Sequence, residues 1–134
     1  MNKEQLKAYR YIKIERDCIA EMIAELEGVM YNARSQRLDG MPRNGSGAGN
    51  EVEAVAIKRM ELMERFRRTE AECTAAIVEI EKAIEVLAPR ERTLIRLHYL
   101  EGLTWEEVCE TMNYSWRQVH RIHAKALETL QSTV

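Results

Sequence analysis

Two helix starts, at Thr104 and Ser115, constrain this chain more than any other feature. Thr104-Trp105-Glu106-Glu107 places a glutamate three residues after a threonine, and Ser115-Trp116-Arg117-Gln118 repeats the arrangement with serine and glutamine. A hydroxyl at the N-cap accepts from a backbone N–H in the first turn, while the side chain three residues on reaches back to the cap. Each tetrapeptide therefore satisfies donors that a helix start leaves free. Val108 and Met112 give the first helix an inward stripe, and Asn113, tolerant of left-handed backbone, is placed to end it. From Ser115 to about Gln131 no Gly or Pro interrupts the second helix. Two capped helices joined by about three residues are a helix-turn-helix.

The second helix sorts its residues by face. Val119, Ile122, Ala126 and Leu130 recur every three or four residues as an apolar stripe, while Arg117, His120, Arg121 and Ala124 fall opposite. No acid follows Ser115 before Glu128, and the small Ala124 allows close approach to a surface. A recognition helix in a DNA major groove needs these properties, because arginine can donate twice to guanine and helix N-termini suit phosphate.

Leu87-Ala88-Pro89-Arg90-Glu91-Arg92, the run from Leu94 through Val108, and Ser115 through Leu130 together resemble region 4 of sigma-70-type RNA polymerase sigma factors. Val119-His120-Arg121-Ile122-His123-Ala124-Lys125-Ala126-Leu127 is especially similar to that family's recognition helix. The resemblance covers roughly the last third of the chain. It implies base contacts in the promoter −35 element from Trp116, Arg117, His120 and Arg121, and DNA-backbone contacts from Ser115, Gln118, Lys125 and Arg96. Double-stranded DNA, and RNA polymerase beside it, are the implied partners. Trp116 departs from the family, which often has a polar or charged residue there. No stretch resembles the sigma region that engages the polymerase clamp and melts the −10 element. The chain is in this respect similar to small phage and prophage sigma-like transcription regulators.

Upstream, the pattern is helical and long. Ile12, Ile19, Leu26 and Ala33 stand seven apart, with Met22, Ile23, Val29 and Met30 beside them, which is a heptad seam. Tyr9, Tyr11 and Tyr31 read as packing residues with their hydroxyls at the rim. Ser35 to Asn50, rich in glycine, reads as a flexible connector. Its Gly45-Ser46-Gly47-Ala48-Gly49 lacks the Gly-Lys-Ser/Thr and the preceding strand that a phosphate-binding loop needs. From Glu51 to Leu87 the helical pattern returns, with Phe66, Cys73, Ile80 and Leu87 seven apart and Ile57, Leu62, Met63, Ile77 and Ile84 widening the stripe. Arg65, Arg67 and Arg68, interleaved with glutamates, read as a solvated face. Ala88-Pro89 ends this helix, and Arg90 to about Leu100 forms the next, packing through Leu94, Ile95, Leu97 and Tyr99. Gly102 suits a left-handed cap.

The expected fold is therefore all-α: a long two-helix, coiled-coil-like hairpin over 1–87, with a loop at about 35–50, then a three-helix module of sigma region 4 type over 88–134. The two long helices carry more apolar surface than one partner covers, so further burial is expected by dimerisation or against the C-terminal module, and a homo-oligomer, a dimer first of all, is expected through them. Net charge is −2, so no overall basic field announces nucleic acid, yet Ser115 through Leu127 holds three cations and no anion. Cys18, Cys73 and Cys109 read as reduced, mostly buried thiols of a cytoplasmic protein. No run approaches the roughly 20 apolar residues that span a bilayer. His120, His123 and Cys109 lack the companions of a metal site, and no catalytic set stands out, so neither cofactor, metal nor enzyme activity is expected. The leading function is a sequence-specific DNA-binding transcription regulator. Two alternatives share its features: a packaging protein of small-terminase type, assembling as a ring, and a region 4 fold that binds polymerase without touching DNA.

Overall fold

The computed structural model describes the backbone of residues 1–38 and 46–133 and the side chains of residues 1–33 and 50–133. The described residues form five helices and no strand: α1 (Lys3–Leu38), α2 (Ser46–Ile84), α3 (Pro89–Ile95), α4 (Trp105–Met112) and α5 (Trp116–Ser132). α3 continues into one π-helical turn over Arg96–Leu100. The all-α fold agrees with the sequence reading. α1 and α2 claim residues at both edges of the connector expected over 35–50; residues 39–45 and the side chains of the glycine-rich run lie outside the described residues. Among the described residues no helix is long and apolar enough to cross a membrane.

The chain divides into two compact units, one of Met1–Lys13 with Glu72–Val134 and one of Ile14–Ala71. In the first, a single cluster joins Leu6 and Tyr9 of α1, Cys73, Ile80 and Ile84 of α2, Leu94, Ile95 and Tyr99, Val108 of α4, and Val119, Ile122, Ala126 and Leu130 of α5. The start of α1 thus contributes core side chains to the same unit as the helix-turn-helix. In the second unit the buried apolar residues are Ile19, Ile23 and Leu62, with Leu26, Met63 and Phe66 packed against them. Arg59 Nη2 and Nε donate to Glu27 Oε1 at 2.8 and 3.1 Å, tying α2 to α1 at the surface of this unit.

Burial follows the heptad seam and departs from expectation off it. Ile19 and Ile23 are buried, whereas Met22, Val29 and Ile57 are exposed, as are Arg65, Arg67 and Arg68. Tyr9 is buried, but Tyr11 and Tyr31 stand 70% and 73% exposed, since neither falls on the stripe that Ile12, Ile19 and Leu26 define. Cys18 is exposed for the same reason; only Cys73 of the three thiols is buried.

Local chemistry fixes the α2–α3 corner and the turn after α3. Extended Ala88 precedes Pro89 at the first helical position, where a missing N–H costs nothing, and buried Glu91 accepts from the Ala88 N–H through Oε2 at 3.3 Å. In the π turn the Glu101 N–H reaches back five residues to the Arg96 carbonyl at 2.9 Å. Gly102, at φ +76°, reverses the chain so that Leu103 N–H meets the Leu97 carbonyl at 3.0 Å. The Leu100 carbonyl, left over by the helix end, accepts from Lys13 Nζ at 3.0 Å. Because Leu6 is fully buried in the core that holds α5, Leu6→Ala should destabilise this unit by about 2–5 kcal/mol. Urea unfolding followed by tryptophan fluorescence measures this directly, since Trp105 and Trp116 both lie in the unit.

Candidate nucleic-acid interface

Both caps form. Thr104 Oγ1 accepts from the Glu107 N–H at 3.2 Å, and Asn113 ends α4 in the left-handed region at φ 57°, ψ 43°. Ser115 Oγ accepts from the Gln118 N–H at 3.3 Å while Gln118 Oε1 accepts from the Ser115 N–H at 3.0 Å. The reciprocal pair sets where α5 begins, and the buried stripe of Val119, Ile122, Ala126 and Leu130 sets its rotation.

That rotation leaves Arg117, Gln118, Arg121, Ala124 and Lys125 exposed, with Ser115 exposed at the cap and no acid in the first turn of α5. A groove of about 240 Å³ runs beside this face, lined by Gln118, Arg121 and Lys125 of α5 together with Arg90, Glu91 and Tyr114. Arg90 and Tyr114 do not stand out from the sequence as members of this face. The available signal for Arg90 was its place in the first turn of a proline-opened helix; for Tyr114 there was none beyond its position in the turn. Arg96 does not join the group. Its Nε and Nη2 donate to the two carboxylate oxygens of Glu81 at 2.8 and 2.6 Å, which holds the Glu81 carboxyl below its ordinary range and the guanidinium above.

On the other flank of α5 lies an aromatic cluster that contains all three histidines and both tryptophans of the chain. Trp105 stacks on His98 with centroids 3.7 Å apart and meets His123 edge-on at 4.6 Å. His120 lies between the tryptophans, 4.9 Å from Trp105 and 4.4 Å from Trp116, and its Nε2 is shut from solvent with no hydrogen-bond partner. Trp116 remains 52% exposed. Beneath, Tyr99 Oη and His123 Nε2 share a hydrogen bond of 2.7 Å, and His98 Nδ1–H donates to the Leu103 carbonyl at 2.8 Å. Of the side chains assigned to base contact, three therefore present charge or ring surface outward, and the fourth, His120, sits behind Trp116.

Residues 83–132 match the family described as sigma-70, region 4. They form a sigma-70 region 4-like helix-turn-helix domain. No curated protein and no solved structure matches the chain. The match begins on the last turn of α2, at Ala83 and Ile84, and runs to the end of α5, so it takes in both flanks of the exposed face. Domains of this family bind DNA and RNA polymerase.

The histidines of the region 4-like domain serve its packing. Among the described residues no group of three or more His, Cys, Asp or Glu could hold a metal ion. Burial pushes His123 down to about 4, helped by the positive charge of Lys3 and by its histidine neighbours, and lowers His98 against the opposing pull of the Leu103 carbonyl. Burial also raises the Tyr99 hydroxyl to about 12, so the 2.7 Å contact joins a phenol to a neutral imidazole. The unfolded chain binds a proton at His123 near pH 6.5, and the folded chain does not until about 4. This contribution to stability is complete above pH 6.5 and is lost as pH falls from there toward 4, by on the order of 2–3 kcal/mol. Urea midpoints measured from pH 7.5 to 4.5 should fall through that window, and His123→Gln should flatten the fall.

Proposed function

We propose that this chain is a sequence-specific, double-stranded-DNA-binding transcription regulator of sigma-like type, cytoplasmic and of the small phage or prophage kind. Residues 88–134 carry the DNA surface in this reading, and residues 1–87 supply oligomerisation or a partner surface. The observation that carries it is the exposed face over the first three turns of α5, where no acid stands between Ser115 and Glu128 and Arg117 and Arg121 stand clear beside a capped helix start. Such a helix presents two-donor guanidinium groups to base edges and its N-terminal turn to phosphate. Trp116, Arg117 and Arg121 form the base-reading surface, with His120 at its edge behind Trp116. Ser115, Gln118 and Lys125 contact phosphate, with Arg90 across the groove. Arg96 takes the smallest share, because Glu81 already meets its charge. RNA polymerase is the second proposed partner, on the strength of the family match alone.

A second copy of the chain is the remaining proposed partner. Ile19 and Phe66, both on the heptad seams, pack within the unit of residues 14–71. α1 carries a different exposed stripe, Ile14, Cys18, Met22 and Val29, spaced to share one helix face. A unit with three buried apolar side chains gains much from covering that stripe. Light scattering at tens of micromolar should give a dimer mass, and Ile14→Lys with Met22→Lys should give the monomer with helicity intact. A parent monomer at that concentration removes the dimer, and a large ring points to packaging instead.

The DNA reading makes a sharper demand. Arg121→Ala should bind a selected site roughly tenfold to a hundredfold more weakly while staying folded, since a bidentate arginine–guanine pair carries about 1–3 kcal/mol of discrimination. Lys125→Ala and Arg90→Ala should weaken binding to selected and scrambled duplexes alike and flatten the salt dependence. Val119→Asp, at a fully buried position, should unfold the domain instead. If Arg117→Ala and Arg121→Ala both remain folded and bind the selected site as the parent does, the partner-only reading replaces this one.

A further inference from the structure

The surface of α5 presents one group that the hydrogen-bonding account of base reading leaves unused. Trp116 is the first residue of the helix after its cap, half exposed, and flanked in sequence by the exposed Arg117. An indole at the start of a recognition helix is placed where N-terminal side chains meet base edges. It is also held. His120, one turn later, lies 4.4 Å from it, Trp105 lies 4.9 Å behind His120, and Trp105 is in turn stacked at 3.7 Å on His98. A ring supported by three successive rings loses little freedom on docking, so whatever contact it makes is not offset by the cost of ordering it.

The chemistry of that contact follows from what a major groove offers. Base edges there are donors and acceptors with one apolar exception, the methyl group on C5 of thymine, which 5-methylcytosine shares. An indole face has no acceptor and a single N–H, and it suits the methyl better than any polar edge. We propose that Trp116 reads a pyrimidine 5-methyl group in the DNA site, with His120 as the positioning residue that holds the indole. This rests on the DNA-binding reading above and adds to it a base class that the arginines do not select.

The test begins with the full chain and a site selected from random duplexes, each thymine of which is then replaced in turn by deoxyuridine. Removal of one methyl should cost the parent about fourfold in affinity at one position, the worth of one buried methylene-sized group. Trp116→Ala, checked by circular dichroism, should bind thymine and uracil duplexes alike, and His120→Ala should bring the thymine-to-uracil ratio toward one. A 5-methylcytosine·guanine pair at the sensitive position should bind better than the unmethylated cytosine·guanine pair if the methyl itself is read. That arm separates the methyl from the other features of thymine. Parent binding indifferent to every thymine replacement overturns the proposal while leaving the arginine reading intact. An equal loss in parent and Trp116→Ala overturns it as well. Failure to select any site removes both readings together. A thymine-to-uracil ratio unchanged in a folded His120→Ala protein overturns the role of His120.

Discussion

The packing of Trp105 against His98 and His123 is the contact on which the rest of the domain depends. Trp105 opens α4, His98 lies on the π turn that follows α3, and His123 lies on α5, so one indole touches all three helical segments of the domain. Aliphatic packing alone fixes a helix poorly about its own axis, because a branched side chain fits several nearby rotations about equally well. Flat rings at defined angles, with Tyr99 hydrogen-bonded to His123 beneath them, narrow the choice. The rotation of α5 decides whether Arg117 and Arg121 point to solvent. The arrangement of rings in the interior and the charged face at the surface are therefore one constraint seen from two sides.

The π turn serves the same constraint. A five-residue hydrogen bond widens the helix by one residue, and here it occurs where two adjacent side chains must serve different neighbours, His98 under Trp105 and Tyr99 against His123. The irregular turn leaves carbonyls without helical partners. Leu103 N–H and Lys13 of α1 meet two of them, at Leu97 and Leu100, and the His98 ring donates to the Leu103 carbonyl in the segment beyond. The lysine contact and the burial of Leu6 and Tyr9 explain why the first turns of α1 belong to the same compact unit as the helix-turn-helix, although residues 14–88 separate them from α3.

What the sequence made legible, and what it hid, divides along the range of the interactions. The caps at Thr104 and Ser115, left-handed Asn113 and Gly102, Pro89 at a helix start and the α5 stripe are all decided within a few residues, and each lies where local chemistry puts it. The resemblance carried by the same stretch is met by the family match over 83–132. Contacts between distant segments left no such trace. Nothing near Lys13 announces Leu100, and Arg96 has no local sign that Glu81 holds it. His98 was read only as part of a helix, because a stacked imidazole needs a partner seven residues on and a turn to bring it there. Tyr11 and Tyr31 show the opposite failure: an aromatic residue near an apolar seam reads as part of it, whereas the helical phase places both outside.

The charge of the chain bears on how such a surface can work. Four exposed cations, Arg90, Arg117, Arg121 and Lys125, stand on or beside the face of α5, while α4 carries Glu106, Glu107 and Glu110 on its exposed side. On the proposed reading these cations allow few phosphate contacts, so the salt-dependent part of binding is small, since affinity falls with salt at a log–log slope of about 0.9 per phosphate neutralised. Proteins that depend on counterion release alone need more cations than this face supplies. Two remedies exist, and both agree with the proposals above. Apolar contact with a base edge adds affinity that salt does not screen, and joining two copies converts the second binding event into an intramolecular one whose effective concentration is set by the connecting helices. On the proposed reading, a chain of net charge −2 reads DNA not by a general electrostatic field but by a small face whose side chains are held in place from behind.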